Sequence, residues 1–342
     1  MKAVVIRRHG GPEVLEFVEK PLPELKADEA LVKVAAAAMN HLDVWVRKGV
    51  PGHKFPLPIT PGCDGAGTVE AVGELVKHVR PGERVAFAPG MGCGACPACA
   101  KGDDHLCRSY GILGETRDGT CAEYVALPAR NLLPVPPHAD FVSAAAFPLT
   151  YLTAWHMIVE RCRVQPGDDV LVLAAGSGVS VAAIQILKLL GARIFAAAST
   201  PEKLRRASEL GAEILIDSAR DDVAERVRAA TGKAGLDVVV DHVGEATFGT
   251  SLRLLKKGGR VVTCGATSGP KLEADLRLIF FKSLSILGST MGSLGELRRL
   301  WTLFERGRLA PVIDSVFPLA DLAAAHARLE TRAAFGKVVV TP

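Results

Sequence analysis

The stretch DVLVLAAGSGVSVAAIQILKLLG occupies residues 169–191. After Asp169 it opens with an unbroken apolar run, as a strand buried on both faces requires. Its last part, GVSVAAIQILKLLG, carries apolar residues at helical spacing and stops at Gly191. Between the two lies a small-residue turn, AAGSG. A strand that runs into such a turn and then a helix is where a doubly wound sheet receives a dinucleotide. Small residues there let backbone N–H groups at the helix N-terminus approach a pyrophosphate. The G-x-G-x-x-G fingerprint is only partly met, with Gly176 and Gly178 in place and Val181 at the third position. The strand–turn–helix context gives the partial match its weight. The plainer alternative is a tight turn that binds nothing.

The same grammar continues downstream. RIFAAA, the helix PEKLRRASELG, EILID, the helix DDVAERVRAATG, DVVVDHVG and GGRVVTCGA follow in order, and LSILGST is the candidate last strand. Short apolar strands alternating with helices predict parallel βαβ units. The end of the second strand discriminates between coenzymes. An NAD site places Asp or Glu there for the ribose 2′-hydroxyl. Here Ala198 holds that place, followed by Ser199, Thr200 and Lys203, with Arg205 and Arg206 beyond. Loss of the carboxylate removes repulsion against a 2′-phosphate, and hydroxyls with a cation can hold one. The expected coenzyme is NADP(H) rather than NAD(H). The same residues also suit the N-cap and first turn of the next helix.

Upstream, residues 1–148 read differently. AVVI, ALVKVAA, GTVEAVG, ERVAFA and AEYVAL are β runs bounded by Gly, Pro and Asp. They predict a mostly antiparallel β domain with loop insertions. The tail run GKVVVTP returns to it. One insertion is GCGACPACAKGDDHLC, with Cys93, Cys96, Cys99 and Cys107 spaced x2, x2 and x7. Four thiolates satisfy tetrahedral Zn2+ and leave no open position, which defines a structural site. The common compact iron–sulfur run has x3 before its fourth cysteine, so zinc fits better. The lobe has no basic or aromatic face of the kind a nucleic-acid module needs.

Bulk composition narrows the classes. The chain has 342 residues, 49% of them apolar, and a net charge of +4. That balance does not call for nucleic acid or a membrane surface. The start, MKAVVIRRHGG, does not read as a signal peptide, and no apolar run approaches a membrane span. The expectation is a cytoplasmic protein. Of eight cysteines four are crowded together, which points to metal rather than a disulfide framework. Asn occurs only at 40 and 131 and Gln only at 165 and 185, a scarcity that hints at a thermophilic source.

End to end, the chain resembles the medium-chain dehydrogenase/reductase superfamily. The cysteine lobe, PGCDGAGTVEAVG, RPGERVAFAP, GTCAEYV, FPLTYLTAW, LKKGGRVVTCGATSG and GKVVV match family segments in order. AAMNHLDVWVRKG and AASTPEK look more like its quinone oxidoreductase branch. The resemblance implies an α/β protein: a Rossmann domain over 149–290 and a GroES-like catalytic domain over 1–148 and 291–342. The structural zinc lobe would span 91–108, and substrate would lie in the cleft between the domains. His41 and Lys337 match positions that contact pyrophosphate, and Thr150 one beside the nicotinamide. Gly176, Gly178, Val179 and Gly265 fall in the coenzyme segments.

The alcohol dehydrogenases of this family carry a second, catalytic zinc. The positions here that match its ligands are Asn40, the pair Cys63–Asp64, and Ala146, while Leu42 replaces the hydroxyl that relays the alcohol proton. The counter-reading is that Cys63, Asp64 and His41 rebuild a site with altered ligands. The expected function is NADPH-dependent reduction of a quinone, enone or enal without catalytic zinc, with Asn40 on the acceptor oxygen. The alternatives are a zinc alcohol dehydrogenase acting on small carbonyl or alcohol substrates, and a non-enzymatic nucleotide-binding protein. A homodimer or homotetramer is expected.

Overall fold

The computed structural model describes all 342 residues. They divide into two compact units, Met1–Thr150 with Ser293–Pro342, and Tyr151–Gly292. The divisions fall two residues after the boundaries read from the sequence.

The second unit is a six-stranded parallel sheet. Its strands run in the spatial order Ile214–Asp217, Arg193–Ala198, Asp169–Val172, Leu236–Val240, Leu255–Thr263, Ser285–Gly288. In chain order that is 3-2-1-4-5-6, the doubly wound arrangement, and strand order reverses between Asp169–Val172 and Leu236–Val240. Leu171, Phe195, Ile216, Val239 and Val261 form its core with Phe248 and Leu252 of the helix Phe248–Leu254. The helix Gly178–Leu190 buries Val181, Ala182, Ala183, Ile184, Ile186 and Leu187. It ends where Gly191 takes φ 74°, a left-handed conformation that costs glycine nothing, and its N–H returns to the carbonyls of Leu187 and Lys188.

The first unit is built on a seven-stranded mixed sheet. The long strand Glu29–Met39 is its centre, pairing antiparallel with Asp64–Val72, Tyr124–Pro128 and the tail strand Lys337–Thr341. Only Ile313–Pro318 runs parallel to its neighbour. Val32, Val34, Val69, Phe87, Leu127 and Val338 share one core beneath it. Two registers position the site. Val338 lies opposite Met39, and Asp64 lies opposite Ala38. Three strands far apart in sequence therefore deliver Asn40, Asp64 and Lys337 to one end of the sheet. No helix is long and apolar enough to cross a membrane.

Candidate active site and metal centre

The helix His41–Lys48 follows directly on Glu29–Met39, and Asn40 is the residue between them. Asp43 accepts from the Asn40 backbone N–H through Oδ2 (2.7 Å) and from the Gly62 N–H through Oδ1 (3.0 Å). It ties the helix start to the loop before Asp64, as a cap should. Burial raises the Asp43 carboxyl to about 6, against the pull of those two N–H groups and of Lys337.

Asn40 was expected to meet an acceptor oxygen. In the structure both ends of its amide are engaged. Nδ2 donates to Asp64 Oδ2 (2.9 Å), to Cys63 Sγ (3.2 Å) and to the Ala38 carbonyl (3.3 Å). Oδ1 accepts from Lys337 Nζ at 2.6 Å. Lys337, expected at the pyrophosphate, ion-pairs with Asp64 Oδ2 at 3.0 Å, with side chains 3% and 0% exposed. The second Asp64 oxygen accepts from the Leu149 N–H at 2.9 Å. Every polar atom of Asp64 and of the Asn40 side chain thus has a partner, and one buried ammonium balances one buried carboxylate.

Asn40, Cys63, Asp64 and Ala146 are the positions that match the ligands of a catalytic zinc, so the fit of a metal can be tested on them. Ligation needs a thiolate. Burial, then the nearby Asp43 and Asp64 carboxylates, push the Cys63 thiol well above its ordinary range, and its sulfur lies 3.9 Å from Asp43 Oδ2. Ala146 is fully buried and brings no donor. Leu42 packs with Ile6, Val46 and Ile59. His41, whose ring burial holds below the ordinary imidazole range, opens the helix His41–Lys48. Of these positions only Cys63 and Asp64 offer a zinc donor, and Asp64 is paired with the Lys337 ammonium.

The cysteine lobe differs. The four sulfurs of Cys93, Cys96, Cys99 and Cys107 lie within 4.8 Å of one another. A zinc with sulfurs at about 2.3 Å would draw them to about 3.8 Å apart. Backbone N–H groups already point at them. Ala95 and Cys96 donate to Cys93 Sγ (3.5 and 3.3 Å), and Cys93 and Ser109 donate to Cys107 Sγ (3.4 and 3.3 Å). Those N–H groups bring the Cys93 thiol down to about 6, while burial raises Cys99 to about 11. The donor set fits one closed zinc site. The lobe is also tied to the later part of its unit, because Asp104 Oδ1 accepts from the Leu294 N–H (3.0 Å) at the start of the helix Leu294–Glu305.

In the second unit the expected dinucleotide turn lies at the carboxyl end of Asp169–Val172. Ser177 N-caps the helix, its Oγ accepting from the Ser180 N–H at 3.1 Å. The N–H groups of Gly178 and Val179, first in the helix, have no intrahelical acceptor, and Gly176 sits just before them. Ala174 takes φ 47° in this turn. Gly265 lies just past the strand Leu255–Thr263, its carbonyl accepting from Thr263 Oγ1 (2.8 Å). Ala198 is buried, and Ser199 and Thr200 are exposed beside it. Thr200 N-caps the helix Pro201–Leu210 by accepting from the Lys203 N–H at 3.4 Å. In the first unit Thr150 is 3% exposed and its hydroxyl has no protein partner, as a group kept for a ligand would be. Sequence reasoning missed Ser180 and His242, whose side chains meet at the turn (2.8 Å). The only signal was a polar DH pair ending an apolar strand.

Two family models match the chain, an alcohol dehydrogenase GroES-like domain over residues 26–137 and a zinc-binding dehydrogenase over residues 178–306. The quinone oxidoreductase of Lama guanicoe is 31% identical across 99% of this chain and 97% of its own. The crotonyl-CoA carboxylase/reductase of Cereibacter sphaeroides is 32% identical across 96% of this chain and 83% of its own. A crystal structure of an NAD-dependent alcohol dehydrogenase superposes with a TM-score of 0.96 at 50% identity, covering all of both chains. The chain belongs to the medium-chain dehydrogenase/reductase superfamily. It is an NAD(P)-dependent oxidoreductase of the alcohol dehydrogenase and quinone oxidoreductase type.

Proposed function

We propose that the protein reduces quinones or activated enones and enals with NADPH, and that it needs no catalytic zinc. The observation that carries this reading is the closed network in which Asn40 and Asp64, two of the positions matching the metal ligands, hold the Lys337 ammonium. A conjugated acceptor spreads the charge that hydride transfer develops, so it needs little Lewis-acid help. The protein has to align donor and acceptor and exclude water. Lys337, held by Asn40 and Asp64, supplies a fixed positive charge that costs no reorganisation during the reaction. Asn40 in this reading positions the lysine rather than meeting the acceptor itself. The similarity to a quinone oxidoreductase and to a crotonyl-CoA carboxylase/reductase supports the acceptor class.

NADPH preference rests on Ala198 in place of a carboxylate, with Ser199, Thr200 and Lys203 for the 2′-phosphate. One zinc per chain, in the cysteine lobe, serves structure. A homodimer is supported by the last sheet strand, Ser285–Gly288. It is an edge; its Ile286 is exposed, as are Leu276, Phe280 and Phe281 of the preceding helix Leu276–Phe281.

The second reading is an NAD-dependent alcohol dehydrogenase, favoured by the crystal structure at 50% identity. Metal content together with initial rates separates the two. One zinc per chain with NADPH oxidation by a quinone and enone panel supports the first. Two tightly held zincs, with alcohol oxidation lost when one is removed, would replace it by the second.

A further inference from the structure

The turn expected to meet the coenzyme is held by side chains at the variable positions of the glycine fingerprint. Ser180 is 0% exposed, on the face of the helix Gly178–Leu190 that packs on the first strand. Its hydroxyl donates to the Leu173 carbonyl at 2.7 Å. A hydroxyl has one hydrogen, so toward His242 Nε2, at 2.8 Å, Ser180 Oγ can only accept. Ser177 Oγ lies 3.2 Å from the same Nε2. It gives its own hydrogen to Ser180 Oγ (3.0 Å) and receives the Ser180 N–H. The hydrogen therefore sits on His242 Nε2, shared between two serine oxygens, and the chain of bonds ends on Leu173. Next to the ring, Asp241 is 0% exposed. Its carboxylate accepts from the N–H groups of Val243 and Gly244 and from the hydroxyls of Thr247 and Ser251. The backbone that carries His242 is thereby fixed. Leu173 and His242 follow the two strands between which strand order reverses, the crevice where such sheets take their ligand.

We propose that His242 is a positioning residue for the coenzyme pyrophosphate. Its ring clamps Ser177 and Ser180 and so fixes the start of the helix, with the Gly178 and Val179 N–H groups set to receive the phosphates. The proposal rests on the reading of this turn as a dinucleotide site, but not on NADPH preference or on the acceptor.

The test measures affinity by titration calorimetry for NADPH, for ADP-ribose and for adenosine 2′-monophosphate. The first two carry a pyrophosphate and the third does not. His242→Ala should weaken NADPH and ADP-ribose by about threefold to tenfold, the worth of one hydrogen bond, and leave adenosine 2′-monophosphate unchanged. His242→Gln, whose amide N–H can reach the serine oxygens, should return both to within about twofold of wild type. Ser180→Ala should match His242→Ala. Equal weakening of all three ligands would make His242 a general structural residue and overturn the proposal, as would no change in any. Tight ADP-ribose binding without a preference for NADPH would contradict the coenzyme assignment alone.

Discussion

Lys337→Met removes the ammonium from the buried network and keeps the length of the side chain. In the wild type Asp64 is 0% exposed, with Lys337 Nζ at 3.0 Å, and the same ammonium lies 2.6 Å from Asn40 Oδ1. The variant leaves one buried carboxylate without its counter-charge and one buried amide oxygen without a donor. Removing one partner of a buried ion pair costs about 3–5 kcal/mol. We expect a loss of that size in urea unfolding followed by tryptophan fluorescence, since two of the three tryptophans, Trp45 and Trp301, lie in the first unit. The loss belongs to the pair, so Asp64→Asn combined with Lys337→Met should cost less than the two single changes added together. A buried charge left alone is neutralised by a proton or a cation. The variant, with its cysteine lobe already zinc-filled, should therefore take up a Co2+ ion that the wild type refuses. A loss below about 1 kcal/mol, additive single changes, or a wild type that binds the extra ion equally well would refute the reading of Lys337 as the resident cation.

Cys96→Ser should lower the thermal midpoint far more than the turnover of the still-folded enzyme, with zinc falling from one per chain toward none by atomic absorption. Lys203→Ala should weaken NADPH about tenfold and leave NADH nearly unchanged in fluorescence titration; equal affinity of the wild type for both coenzymes would remove the basis for this assignment. Burial raises the folded-state Asp43 carboxyl to about 6, above its unfolded value near 3.9. Its contribution is therefore complete below about pH 4 and lost as pH rises through 6, on the order of 3 kcal/mol. Asp43→Asn should flatten that part of the stability–pH curve, and an unchanged slope would show that another group sets it. Ile286→Lys with Phe281→Asp should shift sedimentation toward monomer if the exposed edge strand Ser285–Gly288 pairs two copies.

Legibility followed the range of the interaction. The nucleotide unit could be read strand by strand because its strands are short apolar runs separated by helices, and a parallel sheet buried on both faces leaves no other pattern. The zinc lobe could be read because all four ligands fall within residues 93–107. The buried polar network could not. Its members lie at 40, 63–64 and 337, and only two antiparallel registers bring them together. Matching single positions showed which ligands of a metal were missing, but not what stood in their place. It considered Asn40 and Lys337 each alone. Placed across one sheet end, the two are a hydrogen-bonded pair. The amide is engaged inside the protein, and the lysine is the counter-charge of Asp64. His242 was missed for the same reason, since its partners Ser177 and Ser180 are more than sixty residues away. A polar pair at the end of an apolar strand acquires meaning only when the strand beside it is known. Strand order, read from the alternation of strands and helices, is therefore the step that would have to precede any assignment of such residues from sequence.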